Sequence, residues 1–180
     1  MGVHHIALAT ADLAATHEFY TEAMGFDLVK AVVAPTPEGG WAKHVFYDTG
    51  DGNMIAFWDL HVDAFPPVQP GLSRSVGLPD WVNHLAFTAH DEAHLDAARK
   101  RWLGLGHDVF EVDHGFCRSI YTVDVNQTLV EWCLDTRALD ADDHAHAAAV
   151  IHDPAPPMED PPTSAVFHEA DKSLRPSWAA

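Results

Sequence analysis

The chain predicts an α+β fold built from two copies of one βαβββ module, and three observations predict it. Val3-His4-His5-Ile6-Ala7-Leu8 is echoed by Val82-Asn83-His84-Leu85-Ala86-Phe87 at an offset of 79 residues, which sets His84 against His5. Both segments alternate like strands, and each is followed by an acidic residue and then by apolar side chains at helical spacing. Both helical stretches run into glycine, and three strand-like stretches follow in each copy. At 180 residues there is room for one ordinary domain, or for two small modules sharing a core.

In the first copy the helix is expected from Asp12 to Met24, with Leu13, Phe19, Tyr20 and Ala23 on one face and Gly25 as its stop. Phe26 to Val33 reads as a strand and Pro35 to Gly40 as a loop. Trp41 to Tyr47 and Met54 to Leu60 read as a hairpin around Gly50-Asp51-Gly52-Asn53. The second copy answers with a helix from Asp91 to Leu103, placing Leu95, Ala98 and Trp102 inward. Its strands are Asp108 to Val112, Arg118 to Val123 and Leu129 to Leu134, so Ala56 aligns with Glu131. The organisation is therefore a first module over residues 1–60, a linker or lid over 61–80, a second module over 81–135 and a tail over 136–180. The linker carries Pro66, Pro67, Pro70 and Pro79, and the tail is acidic and proline-rich with one short helix near Asp140 to Val150.

Composition excludes several classes of function. Hydrophobic residues at 47% and charged residues at 21% are those of a chain with a packed core rather than a disordered one. A formal charge of -17 repels phosphate backbones and anionic lipid heads, so nucleic acid is not an expected partner. No apolar run approaches the roughly 18 residues of a membrane span. Met1 to His5 has neither the charged nor the apolar region of an export signal, so no membrane partner and a cytoplasmic address are expected. Cys117 and Cys133 form no C-x-x-C pair and are expected to be reduced.

The 14 histidines matter only where the fold brings some of them together. If the two modules pack with their first strands side by side, His5, His84 and Glu131 converge. Two imidazoles and one carboxylate make a facial triad, which suits Fe(II) or Mn(II) and leaves open positions for substrate and dioxygen. Glu131 sits between Val130 and Trp132 on an apolar strand, so it needs either a wet face or a cationic partner. A lone strand histidine is more often an ordinary polar residue than a ligand; the repetition is what sets these two apart. Ala56 cannot coordinate, which leaves three protein ligands rather than four.

At His5-Ile6-Ala7-Leu8, Phe19-Tyr20 to Gly25-Phe26, and Asp51-Gly52-Asn53-Met54-Ile55, the chain resembles the vicinal oxygen chelate superfamily of glyoxalases, extradiol dioxygenases and antibiotic-resistance proteins. The likeness covers residues 1 to 135. It implies paired βαβββ modules forming a curved, cup-like mixed sheet with helices outside, and metal ligands at His5, His84 and Glu131. Val112-Asp113-His114, Ile120-Tyr121, Asp124 and Glu131 also follow the spacing of the extradiol ring-cleavage signature. That narrower resemblance implies a non-heme Fe(II) dioxygenase of aromatic compound catabolism, with Mn(II) or another divalent metal as alternatives to iron. Its substrates would be a catechol-like diol and dioxygen, with His114 and Tyr121 beside the bound diol.

The chain departs from the signature at Val125 and Gln127, and Asn53 stands where those enzymes place an acid-base histidine. His44 and His61 are the nearest replacements in sequence. Two alternatives stand beside ring cleavage. One is a glyoxalase-like metal-dependent isomerase or lyase, against which Ala56 argues. The other is a non-catalytic binder of the bleomycin-resistance kind, against which the three ligands together argue. The tail is free to cover the cup, wrap a second subunit or stay loose, so a homo-oligomer is among the partnerships considered.

Overall fold

The computed structural model describes residues 2–50 and 52–179. Asp51, expected in the first hairpin turn, lies outside the described residues. The first module runs β1 (His5–Thr10), α1 (Leu13–Glu18), β2 (Asp27–Pro35), β3 (Trp41–Gly50) and β4 (Asn53–His61). The second runs β5 (His84–Thr88), α2 (Glu92–Gly104), β6 (Val109–Asp113), β7 (Cys117–Val123) and β8 (Leu129–Asp135). The tail adds α3 (Ala141–Val150) and β9 (Ser164–His168).

Local chemistry sets each boundary. Asp12 caps α1 by accepting from the Ala15 amide at 2.9 Å, and Asp91 caps α2 by accepting from the His94 amide at 2.7 Å. Beyond Glu18 the first helix widens into a π-turn over Phe19–Ala23, burying Phe19, Tyr20 and Ala23 completely. Gly25 ends it at a φ of 80°, where a Cβ would run into the Arg101 guanidinium. Asp140 and Asp143 form a reciprocal capping box at the start of α3.

The strands form two mixed sheets, ordered β1-β4-β3-β2 and β5-β8-β7-β6-β9, in which the pairs β1–β4 and β5–β8 are parallel. The equivalence of the modules is exact in register. Ala7 lies opposite Ala56 in the first sheet, and Ala86 lies opposite Glu131 in the second. β1 and β5 do not pair with each other. Each is hydrogen-bonded on one side only, by β4 and β8 respectively, so the two first strands are not joined in one sheet, although Ile6 of β1 and Leu85 to Phe87 of β5 border a common cavity.

One apolar cluster runs through both modules, joining Phe19, Tyr20, Val45, Tyr47, Ile55 and Phe57 to Leu85, Trp102, Ile120, Val130 and Trp132. Trp102, fully buried, donates from its indole nitrogen to the Ala23 carbonyl at 3.0 Å, satisfying its one polar group. Tyr20 donates to Asp124 at 3.0 Å, and Asn126 donates to Thr16 at 3.1 Å. These contacts set the core face of each sheet and leave the opposite, open face of each sheet to carry the histidines.

The tail is more than a linker-like extension. β9 pairs antiparallel with β6, Phe167 opposite Phe110 and His168 opposite Val109. His168 and Arg99 both reach the Glu111 carboxylate, at 3.0 and 2.6 Å. No helix among the described residues is long and apolar enough to cross a membrane.

Candidate functional site

Alternation decides what the open face of the second sheet presents. Val130 and Trp132 point to the core, so Leu129, Glu131 and Cys133 point away from it. Strand pairing then lines up Ala86, Glu131, Tyr121, Phe110 and Phe167 as one row across five strands. His84, two residues before Ala86, reaches back to that row.

The polar groups of this face are joined in a chain. His84 Nε2 lies 3.0 Å from Glu131 Oε2. Tyr121 donates its phenol proton to Glu131 Oε1 at 3.1 Å, and its oxygen in turn accepts from His114 Nε2 at 3.1 Å. His84 Nδ1 stands 3.1 Å from the Trp81 carbonyl, an oxygen that can only accept. That contact places a proton on Nδ1, so in the neutral ring the Nε2 lone pair faces a carboxylate oxygen. Such an arrangement requires a proton or a metal cation between the two atoms. Donors about 2.1 Å from one ion and at right angles to each other stand about 3 Å apart, so the pair fits two adjacent coordination positions. Trp81 and Tyr121 hold the two side chains in that orientation, the kind of outer contact a metal-ligand pair would need.

Glu131 is almost wholly buried and His84 is half-open, so a cation here is reached from the cavity side. Burial, with the nearby Glu131 charge adding to it, pushes the Tyr121 phenol well above its ordinary range, which keeps it a neutral donor. The cavity over this face has a volume of about 740 Å³. Trp81, Phe110 and Phe167 make its walls apolar, and His84, His114 and Tyr121 give it a few convergent polar groups, the usual composition of a small-molecule site.

His5 stands elsewhere. It lies on the open face of the first sheet, with its ring centroid 5.5 Å from Phe46 and 6.2 Å from His44. Among the described residues no three His, Cys, Asp or Glu side chains converge to hold a metal within one chain. The structure thus brings together His84, Glu131, Tyr121 and His114, and keeps His5 on the other sheet. Of the two substitutes for Asn53, His44 shares the face of His5 and stacks on Trp58 at 3.7 Å, with its Nε2 buried and unpartnered. Burial, aided by His5, lowers its pKa. His61 instead stacks on Trp41 and contacts Asp59 at 3.0 Å, away from both candidate ligand groups.

Two residues of structural weight were not singled out from sequence. Asp124 appeared there only as a spacing mark. It is buried, accepts from Tyr20 and from the Thr128 amide, and is pushed up to about 6 by that burial. His107 is buried against Phe19 and Trp178, and burial holds it down at about 4. Neither has a local sequence signal, because each is defined by what packs around it.

The fold belongs to a known class. Residues 2–142 match the family model described as the Glyoxalase/Bleomycin resistance protein/Dioxygenase superfamily, and the chain belongs to that superfamily. Among solved structures it is similar to the genomically encoded fosfomycin resistance protein FosX from Listeria monocytogenes. There the TM-score is 0.52 and the identity 24%, with 76% of this chain and 94% of that one covered. It is also similar to a lactoylglutathione lyase from Agrobacterium tumefaciens, with a TM-score of 0.50 and 23% identity over 74% and 92% of the two chains. TnmS3, an antibiotic-binding protein from a Streptomyces, has a TM-score of 0.50 and 19% identity over 76% and 97%. No curated protein matches the chain significantly.

Proposed function

We propose that the protein is a metal-dependent enzyme that chelates a small aromatic diol, and that its reaction is an extradiol-type addition of dioxygen with Fe(II) as the metal. The observation that carries the reading is the His84–Glu131 pair, oriented by Trp81 and Tyr121, with His84 and Tyr121 lining an apolar cavity. Its third ligand is His5 of the partner subunit in a homodimer. Three features support that assignment. His5 and the His84–Glu131 pair lie on different sheets, the strands that carry the two histidines are unpaired edges, and Ile6 beside His5 is an exposed apolar residue.

When bound, the metal supplies Lewis acidity and open adjacent positions for the diol and dioxygen. The chain's own groups do the rest. Glu131 and His84 would hold the ion beside the cavity, and the neutral Tyr121 phenol, whose one proton goes to Glu131 here, would turn that proton toward oxygen charge developing beside it. His114, on the exposed turn after β6, is placed to hold or protonate a substrate oxygen. Phe110 and Trp81 exclude water around the ring. Ala56 provides no fourth ligand opposite Ala7, which favours this reading over a glyoxalase-like site.

Elemental analysis of protein purified without oxygen tests the metal. One ion per chain, lost in Glu131→Ala, is expected; a metal-free wild type, or full occupancy in the variant, overturns the site. Oxygen uptake with a panel of catechols tests the reaction, and metal-dependent turnover of a thiol adduct without oxygen uptake would overturn ring cleavage.

A further inference from the structure

We propose that the C-terminal segment supplies a carboxylate anchor for the ligand, with Arg175 as the group that binds it. This deepens the reading above by naming the substrate class: an aromatic diol carrying a carboxylate at the end remote from His84 and Glu131.

The segment concerned lies beyond the matched family region, which ends at residue 142. Through β9 it extends the open face of the second sheet by one strand, and Phe167 prolongs the row that begins at Ala86. The chain is then tied down twice at Asp108, by the Ala170 amide at 2.9 Å and by Lys172 Nζ at 2.6 Å. Lys172 also donates to the Gly106 carbonyl at 3.3 Å. Arg175 follows, packed so closely on Gly106 that a Cβ there would sit 2.9 Å from the Arg175 nitrogen. These ties bring Arg175 to the same cavity that His84 and Tyr121 line.

The charges of that cavity single Arg175 out. Two acids line it, and both are committed: Asp108 to Lys172, and Asp80 to Arg74 through contacts of 2.6 and 2.5 Å. Among the described residues Arg175 makes no ion pair. Asp108, already held by Lys172, feels the Arg175 charge without pairing directly with it, and a guanidinium with no direct partner among the described residues at the rim of an apolar cavity, on a chain of net charge -17, can receive a small anion. A guanidinium matches the planar carboxylate best, since it can donate two parallel hydrogen bonds.

The span fits. β8, which carries Glu131, and β6, just ahead of which Arg175 packs on Gly106, are two strand spacings apart across the sheet, about 10 Å. An aromatic ring lying over Tyr121 and Phe110 covers that distance between two diol oxygens at one end and a carboxylate at the other. The alternating use of the sheet row, polar at Glu131 and Tyr121 and apolar at Phe110 and Phe167, matches such a ligand from end to end.

The test titrates the full-length protein as purified with 3,4-dihydroxybenzoate and with catechol, following tryptophan fluorescence, since Trp81 lines the cavity. Wild type is expected to bind the acid more tightly, and Arg175→Gln to weaken the acid roughly 10- to 100-fold while leaving catechol unchanged. Arg175→Lys should retain part of the preference. Equal effects on both ligands, or none on either, overturn the anchor. Should Arg175→Gln misfold by circular dichroism, Arg175→Lys decides alone, with an undiminished preference for the acid counting against a guanidinium-specific anchor. Glu131→Ala separates the two readings. Arg175-dependent acid binding in a protein without metal would sink the enzyme and keep the anchor, whereas metal binding without any Arg175 dependence would sink the anchor alone.

Discussion

Glu131 and Ala56 occupy the same place in the two sheets, and their neighbours differ with them. Glu131 lies opposite Ala86 and Tyr121, and Ala56 lies opposite Ala7 and Phe46. The carboxylate and the phenol that orients it are present together in one module and absent together from the other. Ala56→Glu would therefore bury a charge with no hydroxyl beside it, His5 being the counterpart of His84 on that face. A loss of about 3 kcal/mol in urea-derived stability is expected, with part of it recovered by adding Phe46→Tyr.

If the third ligand comes across a subunit interface, chains lacking different ligands should complement one another. His5→Ala and Glu131→Ala proteins are each expected to be metal-free as homodimers. A heterodimer of the two should recover one ion, half the wild-type content, because one of its two sites keeps all three ligands. Elemental analysis of the purified heterodimer reads the outcome directly, and no recovered metal would place all ligands within one chain.

Tyr121→Phe removes the donor to Glu131 and leaves the ring's packing in place. Metal affinity is expected to fall roughly 10- to 100-fold, measured by competition with a chelator, with thermal unfolding little changed.

All three tyrosines of the chain are shifted upward by burial: Tyr20 and Tyr121 strongly, and Tyr47 to about 12. Native protein should accordingly show little tyrosinate absorbance at a pH near 10, where urea-unfolded protein titrates at about 10. Since the folded values lie above the unfolded one, the associated stability is complete below pH 10 and lost as pH rises past it. Urea midpoints measured across that range check the sign.

Asp124 offers a second pH signature. Its folded value of about 6 exceeds the unfolded 3.8, so its contribution is fully present below pH 3.8 and is lost as pH rises through 6. Compared with wild type, Asp124→Asn should therefore become relatively more stable between pH 4 and pH 7, by about 2–3 kcal/mol over the interval. Denaturation series at both ends of the interval measure the difference.

The modules, their helices and most strand positions were legible from the repeat, because periodicity and caps are local properties. Asp12, Asp91 and Asp140 announce the helix starts, and Gly25 stops the first one. The proximity of His84 and Glu131 was legible as well. Register alone places His84 and Glu131 together, since β5 and β8 are neighbours within one module. What no local pattern reveals is how the two modules face each other. That is set by Tyr20 on Asp124 and Trp102 on Ala23, contacts between residues 104 and 79 positions apart, and they leave β1 and β5 as separate edges. The proline-rich tail hid β9 for a similar reason, because a five-residue strand is recognisable chiefly by the partner it joins.

Docking of β9 also governs how the protein tolerates being shortened. With Ser164–His168 in place, the amides and carbonyls along the far side of Val109–Asp113 are occupied. A proteolytic nick in the run of prolines ahead of it, followed by loss of the fragment, would uncover a ready template on which stray extended peptides could stack. Such a trimmed product is headed for precipitation rather than for life as a smaller folded protein.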